Sequence, residues 1–170
     1  MKPSEDETPL ANGFHIREIR ESDHLRVIQV VDEWWGGRHV AQLLPKLFFE
    51  HFQNTSIVVE NDGRELVAFL VGFLSQSRSS EAYIHFVGVN PHYRKLGIAR
   101  QLYGRFIESV RAKGCARVCL ITSPLNKGSI AFHERMGFKA ELGDGFLDGI
   151  PVFQNYDGSG NSRVRFSKDI

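Results

Sequence analysis

Apolar and polar positions alternate from Phe14 to Arg20, the spacing of a half-buried strand. Ser22 or Asp23 then offers an N-cap, and Leu25, Ile28, Val31 and Trp35 follow at helical spacing until Gly36-Gly37 stops the run. A second helical stretch, 40–52, carries Leu43, Leu44, Leu47, Phe48 and Phe52, with Pro45 disturbing its first turn. Residues 56–60 and 66–74 read as strands joined by a tight turn at Asn61-Asp62-Gly63. Residues 82–89 form another strand, ended by Asn90-Pro91. Helical periodicity returns through Ile98, Leu102, Phe106 and Val110, and Lys113-Gly114 closes it. A buried-type strand at 117–122 and a short helix at 129–136 follow, then strands at 138–142 and 163–166. Between those last two, 143–160 is loop-rich, with 152–156 extended. The order β, α, α, β, β, β, α, β, α, β, β places antiparallel hairpins before a strand–helix–strand crossover. That predicts an α+β (mixed α/β) fold: a single domain over 14–170, behind a flexible N-terminal tail over 1–13.

Composition narrows the function classes. The length of 170 residues fits one core. Hydrophobic residues at 42% exclude a globally disordered chain. Lys+Arg number 21 against 20 Asp+Glu, and the resulting +1 argues against a dedicated nucleic-acid binder. No run approaches the ~20 apolar residues of a membrane span, and the polar, acidic start Met1–Pro9 lacks the apolar core of a signal peptide. Cys115 and Cys119 on one strand would sit roughly 13 Å apart at about 3.3 Å per residue, too far to bridge. Free thiols point to a reducing compartment, the cytoplasm. No metal is expected.

The chemistry concentrates in the stretch from Val87 to Arg100, where a strand runs out, a short polar loop turns and a helix begins at Gly97. A helix start exposes unpaired N–H groups and about half a positive charge, and phosphate oxygens suit that position. From Ala82 through Ile107 there is no Asp or Glu, while Arg94, Lys95, Arg100 and Arg105 all fall in that window. The loop is not a P-loop, since no Gly-Lys-Ser/Thr follows, and the three-glycine dinucleotide fingerprint is absent.

Arg94-x-x-Gly97-x-Ala99, after a strand ending Val89-Asn90-Pro91, resembles the acyl-CoA pyrophosphate loop of the GNAT superfamily of N-acetyltransferases. Asn126-Lys127-Gly128-Ser129-Ile130-Ala131-Phe132-His133, followed by Gly137-Phe138, resembles that family's later motif. The element order matches the family over about Phe14 to Phe166. The resemblance implies a central mixed, mostly antiparallel sheet with splayed central strands, flanked by about four helices. It implies acetyl-CoA as cosubstrate, with the pantetheine arm pairing with backbone at Val87, Gly88 and Val89. The pyrophosphate would be held by Arg94 and by amides of Lys95, Leu96, Gly97, Ile98, Ala99 and Arg100. Asn126 and Ser129 would flank the far side of the thioester.

The implied activity is transfer of an acetyl group to a primary amine by direct attack in a ternary complex. Where the family carries Tyr this chain has His133, the candidate acid for the leaving thiolate; the alternatives are an orienting hydrogen bond or a structural ring. On the central strand Tyr83, His85 and Val87 share a face. His85 is the candidate base and a hydrogen-bonded core histidine the alternative; Glu33 and Glu81 are weaker choices. Trp34, Trp35, Arg38 and Tyr83 are candidates for the acceptor, expected to be a small amine, against a helix-end packing cluster. Leu43–Phe52 reads as core or a pocket wall, and the loop at Asn155–Gly158 as a turn or a cover over the acceptor. Arg17 and Arg20 read as a solvated face. A covalent route through Cys119 lacks any activating neighbour in sequence. Family members often dimerise, so a homodimer is an open alternative. A non-catalytic acyl-CoA-binding or sensor module is the competing function, and nucleic-acid binding by the basic helix start a third.

Overall fold

Pro45 decides how the N-terminal half folds. It has no N–H to give a helix and pushes Leu44 out of helical geometry (φ −120°, ψ 61°). In the computed structural model, which describes residues 8–10 and 13–170, the stretch expected as one helix over 40–52 is therefore broken. It forms a 3-10 turn at Ala41–Leu43, a short helix at Leu47–His51 and a second 3-10 turn at Gln53–Thr55. The helix expected from Ser22 to Trp35 also divides, into α1 (Asp23–Ile28) and α2 (Val31–Trp34). The Val30 amide reaches back only three residues, to Val27, which tightens the turn between them.

Numbered in chain order, the strands are β1 (Thr8–Leu10), β2 (Phe14–Glu18), β3 (Ile57–Asn61), β4 (Leu66–Leu74), β5 (Glu81–Val89), β6 (Arg117–Thr122), β7 (Lys139–Ala140), β8 (Gly145–Leu147), β9 (Ile150–Val152) and β10 (Val164–Asp169). The remaining helices are α3 (Leu47–His51), α4 (Ile98–Ala112) and α5 (Lys127–Arg135). The expected tail over 1–13 meets a strand: β1 pairs antiparallel with β2, Thr8 opposite Ile16 and Leu10 opposite Phe14. Residues 1–7 and 11–12 of that tail lie outside the described residues.

The chain forms two compact units. The first holds the residues up to Phe73 together with Ile84–Val110. Its strands run β1-β2-β3-β4-β5 in hydrogen-bonded order, with β2, β3 and β4 antiparallel. Ile19, Val27, Val31, Trp34, Leu44, Phe49, Val58, Phe69, Val71 and Phe86 make its main core cluster. Along α4, Ile98, Leu102, Tyr103, Phe106, Ile107 and Val110 are buried, the stripe its periodicity predicts.

Arg17, read as solvated, is buried in this unit. Its guanidinium donates to both carboxylate oxygens of Asp23 (2.8 and 2.9 Å) and to Glu60 (2.9 and 3.2 Å). Arg26 bridges the same two carboxylates at 3.0 and 2.7 Å. Arg20 is exposed, as read.

The second unit holds Leu74–Tyr83 and Arg111–Ile170. There Glu81, Ala82 and Tyr83 of β5 pair in parallel with Arg117, Val118 and Cys119 of β6. β10 pairs antiparallel with β6 over its whole length and with β7. Phe138, expected to open a strand to 142, precedes a β7 of two residues. The loop-rich 143–160 instead contains the hairpin β8–β9, closed by Asp148 and Gly149 at φ 50° and 78°, the left-handed pair a two-residue turn needs. Antiparallel pairing thus dominates a mixed sheet. Among the described residues no helix is long and apolar enough to cross a membrane.

Candidate functional site

β5 alternates: Ala82, Ile84, Phe86 and Gly88 are buried, while Glu81, Tyr83, His85, Val87 and Val89 are half-buried on the other face. Gly88 is glycine because of packing. A Cβ there would come within 2.4 Å of the Phe69 ring, which itself stacks on Phe86 (centroids 5.9 Å, planes 8° apart). The expected face of Tyr83, His85 and Val87 is therefore the open one.

After Val89 the loop is tied down tightly. The Asn90 carboxamide oxygen accepts the His92 amide (3.0 Å) and Pro91 opens a 3-10 turn at Pro91–Tyr93. The Arg94 guanidinium donates to the Val89 carbonyl (3.2 Å) and to the Trp34 carbonyl, fastening the end of β5 to the end of α2. The family arginine therefore holds the loop here, and the Val89 carbonyl already has a partner. Lys95 and Gly97 both sit in the left-handed region (φ 66° and 78°). The first bond into α4 runs from the Gln101 amide to the Gly97 carbonyl (3.1 Å), so the amides of Ile98, Ala99 and Arg100 precede the helical ladder. The first turn carries no acid. A Cβ built on Gly97 meets nothing within 4 Å: the space beyond this turn is open. Amides ahead of the ladder, positive charge and open space beyond Gly97 fit a diphosphate.

His85 is held from both sides. Its Nε2 lies 2.6 Å from the Leu43 carbonyl oxygen, an atom that can only accept, so Nε2 carries the proton and Nδ1 the lone pair. Its ring stacks on Phe48 (centroids 4.2 Å, planes 15° apart). Burial lowers the imidazole below its ordinary value, and the bond to Leu43 only partly offsets it.

In the second unit His133 is buried on α5. Its Nδ1 donates to the Ser129 carbonyl (2.8 Å), one turn back along the helix. The rings of Phe132, Phe138 and Phe166 lie within 5.7 Å of its centroid. Burial pushes it down to about 4, so the ring is neutral at pH 7. A neutral imidazole donates a proton less readily than imidazolium, so burial weakens His133 as a donor. Asn126 caps α5, its side-chain oxygen accepting the Ser129 amide at 3.1 Å. Burial pushes the Tyr83 phenol well above its ordinary range and the Cys119 thiol up to about 11, an unreactive thiol beside Glu81. Glu81 itself pairs with Arg78 at 3.3 Å.

The expected acceptor residues separate. Trp34 is 6% exposed and packs against Phe69 in the core, and half-buried Trp35 packs on Phe86 (4.8 Å), so the packing alternative describes both. Arg38 is exposed, beyond Gly36 and Gly37 at positive φ. Asp32 accepts the Val40 and Ala41 amides at 2.8 Å each, which closes that loop. The ring wall beside His85, from Phe48, was present in the sequence only as an apolar stripe.

Residues 18–138 match the model of the acetyltransferase (GNAT) family. The N-alpha-acetyltransferase MAK3 of Arabidopsis thaliana is 35% identical over 119 residues, 69% of this chain and 58% of that protein. The L-2,4-diaminobutyric acid acetyltransferase of Shouchella clausii (strain KSM-K16) is 30% identical over 87 residues, 51% of this chain and 48% of that protein. The chain spans about half the length of these curated relatives. The crystal structure of Ard1 from Thermoplasma volcanium shares the fold, with a TM-score of 0.75 at 20% identity over 93% of this chain and 98% of that one. With the family model covering well over half of its residues, this chain belongs to the acetyltransferase (GNAT) family.

Proposed function

We propose that the chain moves the acetyl group of acetyl-CoA to a primary amine, in our reading a small one, by direct attack. The observation that carries this is the turn ahead of α4, where left-handed Lys95 and Gly97 leave three amides in front of the helical ladder. Those amides hold the diphosphate of CoA, and backbone at Val87 aligns the acyl arm.

His85 takes a proton from the bound ammonium at Nδ1 and passes it to solvent. The freed nitrogen lone pair attacks the thioester carbon, forming the C–N bond. A backbone N–H near Val87 stabilises the oxygen that becomes negative. As the C–S bond breaks, the attacking nitrogen sheds its second proton to the departing sulfur, so amide and free thiol leave in balance. That ledger needs no separate acid. We assign His133 to holding α5 and its Asn126 cap in place.

Two variants test the reading. Gly97→Val forces a branched side chain into a left-handed turn at about 1–2 kcal/mol, with no clash to relieve elsewhere. Calorimetric affinity for CoA is expected to fall at least about tenfold while the melting temperature drops by roughly 2–8 °C and the protein stays folded at 25 °C; an unchanged affinity rejects the cradle. His133→Phe removes the buried hydrogen bond to the Ser129 carbonyl, a contribution of about 1 kcal/mol. Turnover between pH 6 and 9 is expected to stay within a few-fold of the parent; a folded His133→Phe protein slowed a hundredfold would return the acid role to His133. Binding of acetyl-CoA without CoA release over aromatic and aliphatic monoamines as well as amino acids, polyamines, aminoglycosides and peptides would make the chain a sensor module.

A further inference from the structure

Around the proposed base the first unit builds a wall of rings. Phe48 stacks on His85 at 4.2 Å and contacts Phe52 (5.4 Å) and Phe73 (6.5 Å), and Phe52 meets Phe73 at 5.2 Å. All four rings are half-buried, so each presents an edge or face outward. Leu43, whose carbonyl fixes the His85 tautomer, leaves its side chain 49% exposed. Burial and that carbonyl are what act on the His85 ring; no charged side chain among the described residues joins them. Asp32 accepts the Val40 and Ala41 amides, and Glu50, two residues from Phe48, pairs with Lys46 at 3.3 Å.

Phe48 covers one face of the His85 ring, so an amine within hydrogen-bond reach of Nδ1 that extends along that face meets Phe48 with its adjoining carbons. A second ammonium or a carboxylate placed there would lose its water and find no counter-charge, a cost of several kcal/mol. An aromatic or aliphatic group would gain burial and ring contacts instead.

We infer that Phe48, Phe52 and Phe73 select the acceptor: a primary amine whose adjoining group is aromatic or aliphatic and carries no second charge. This rests on the proposed function of the same site. It goes further by excluding polyamines and free amino acids as preferred acceptors.

The test is CoA release from acetyl-CoA with phenethylamine, ethylamine, putrescine and phenylalanine. Phenethylamine is expected to exceed putrescine and phenylalanine at least about tenfold in kcat/KM, within the 10- to 200-fold range of apolar pocket discrimination. In Phe48→Ala the ratio of kcat/KM for phenethylamine over ethylamine is expected to fall at least fivefold, through KM, and Phe48→Tyr to restore it. Using a ratio cancels any disturbance of His85, because both amines depend on it. If Phe48→Ala does not fold, Phe52→Leu and the wild-type preference carry the same comparison. Turnover that favours putrescine or phenylalanine, or an unmoved ratio in a folded variant, overturns the selectivity and leaves acetyl transfer standing. Absence of release with every amine overturns both.

Discussion

Arg17→Met is expected to cost about 3–5 kcal/mol of stability at pH 7, the penalty for leaving buried charge without its partner. Arg17 is 6% exposed and holds two carboxylates that are themselves buried, Asp23 at 1% and Glu60 at 4%. Burial alone would push both acids up; hydrogen bonds from Arg17, with the Arg20 amide at Asp23 and Arg26 at Glu60, outweigh it and hold each below the ordinary carboxylate range. Remove Arg17 and the pair keeps half-exposed Arg26 on both carboxylates, exposed Arg64 on Glu60 at 3.5 Å and the Arg20 amide on Asp23, none of them a buried guanidinium. For a chain of this length the melting temperature should drop by roughly 6–20 °C. The sign with pH follows from linkage. Depressed carboxylates stabilise the parent above their unfolded values, and that contribution disappears as pH falls through the folded ones. Burial raises the same carboxylates in Arg17→Met, so they neutralise earlier and the deficit narrows towards pH 4. His133 adds to the acid sensitivity of both proteins: neutral in the fold down to about 4, it is protonated in the unfolded chain from about 6.5 downward. A triple replacement, Arg17→Met with Asp23→Leu and Glu60→Leu, should recover most of the loss, because apolar isosteres remove the need for pairing. Urea titrations of parent, single and triple variants at pH 7 and pH 4.5 decide it; a deficit under 1 kcal/mol, or one that widens in acid, contradicts the paired-charge account.

That network also marks where sequence reasoning stops. The pattern over Phe14–Arg20 identifies β2, but nothing local says that Arg17 finds partners 6 and 43 residues away. A charge beside an alternating strand reads as solvated until the fold brings Asp23 and Glu60 to it. The loop ahead of α4 was legible because its signals are local: a β strand, an Asn-Pro stop, glycine where φ is positive and acids missing from the first turn. Asp148-Gly149 is an equally local signal, but the strands it joins are three residues each, too short for alternation to identify them. Pairs of aromatics are ambiguous for another reason. Trp34 and Trp35 meet different surroundings: packing on Phe69 puts Trp34 in the core, while half-buried Trp35 lies against it on Phe86. His85 could be placed on the correct face of β5 by alternation alone. Its tautomer could not be read, because a main-chain carbonyl 42 residues earlier sets it and leaves no mark in the sequence.

His85→Gln should lower kcat/KM for the preferred amine by about 10²–10⁴ at pH 7. The size follows from the proton that must leave. An alkylamine titrating near ~10.4 is neutral in only about 0.04% of molecules at pH 7, and a positioned base removes most of that handicap. Glutamine keeps an N–H for the Leu43 carbonyl and much of the stacking surface on Phe48, so the loss reports the missing lone pair at Nδ1. If His85 is the base proposed above, the acid limb of the parent's kcat/KM is expected to be its titration. Burial lowers that imidazole, so the limb falls below the ordinary histidine value of about 6.5, and activity drops as pH descends through it because imidazolium cannot accept the amine proton. In His85→Gln the only route is an amine already neutral in solution, so kcat/KM should climb about tenfold per pH unit up to the amine's own titration. The gap between parent and variant therefore closes with rising pH. A gap of constant size from pH 6 to pH 10 would assign His85 a packing role, and a variant as fast as the parent at pH 7 would assign the proton to water.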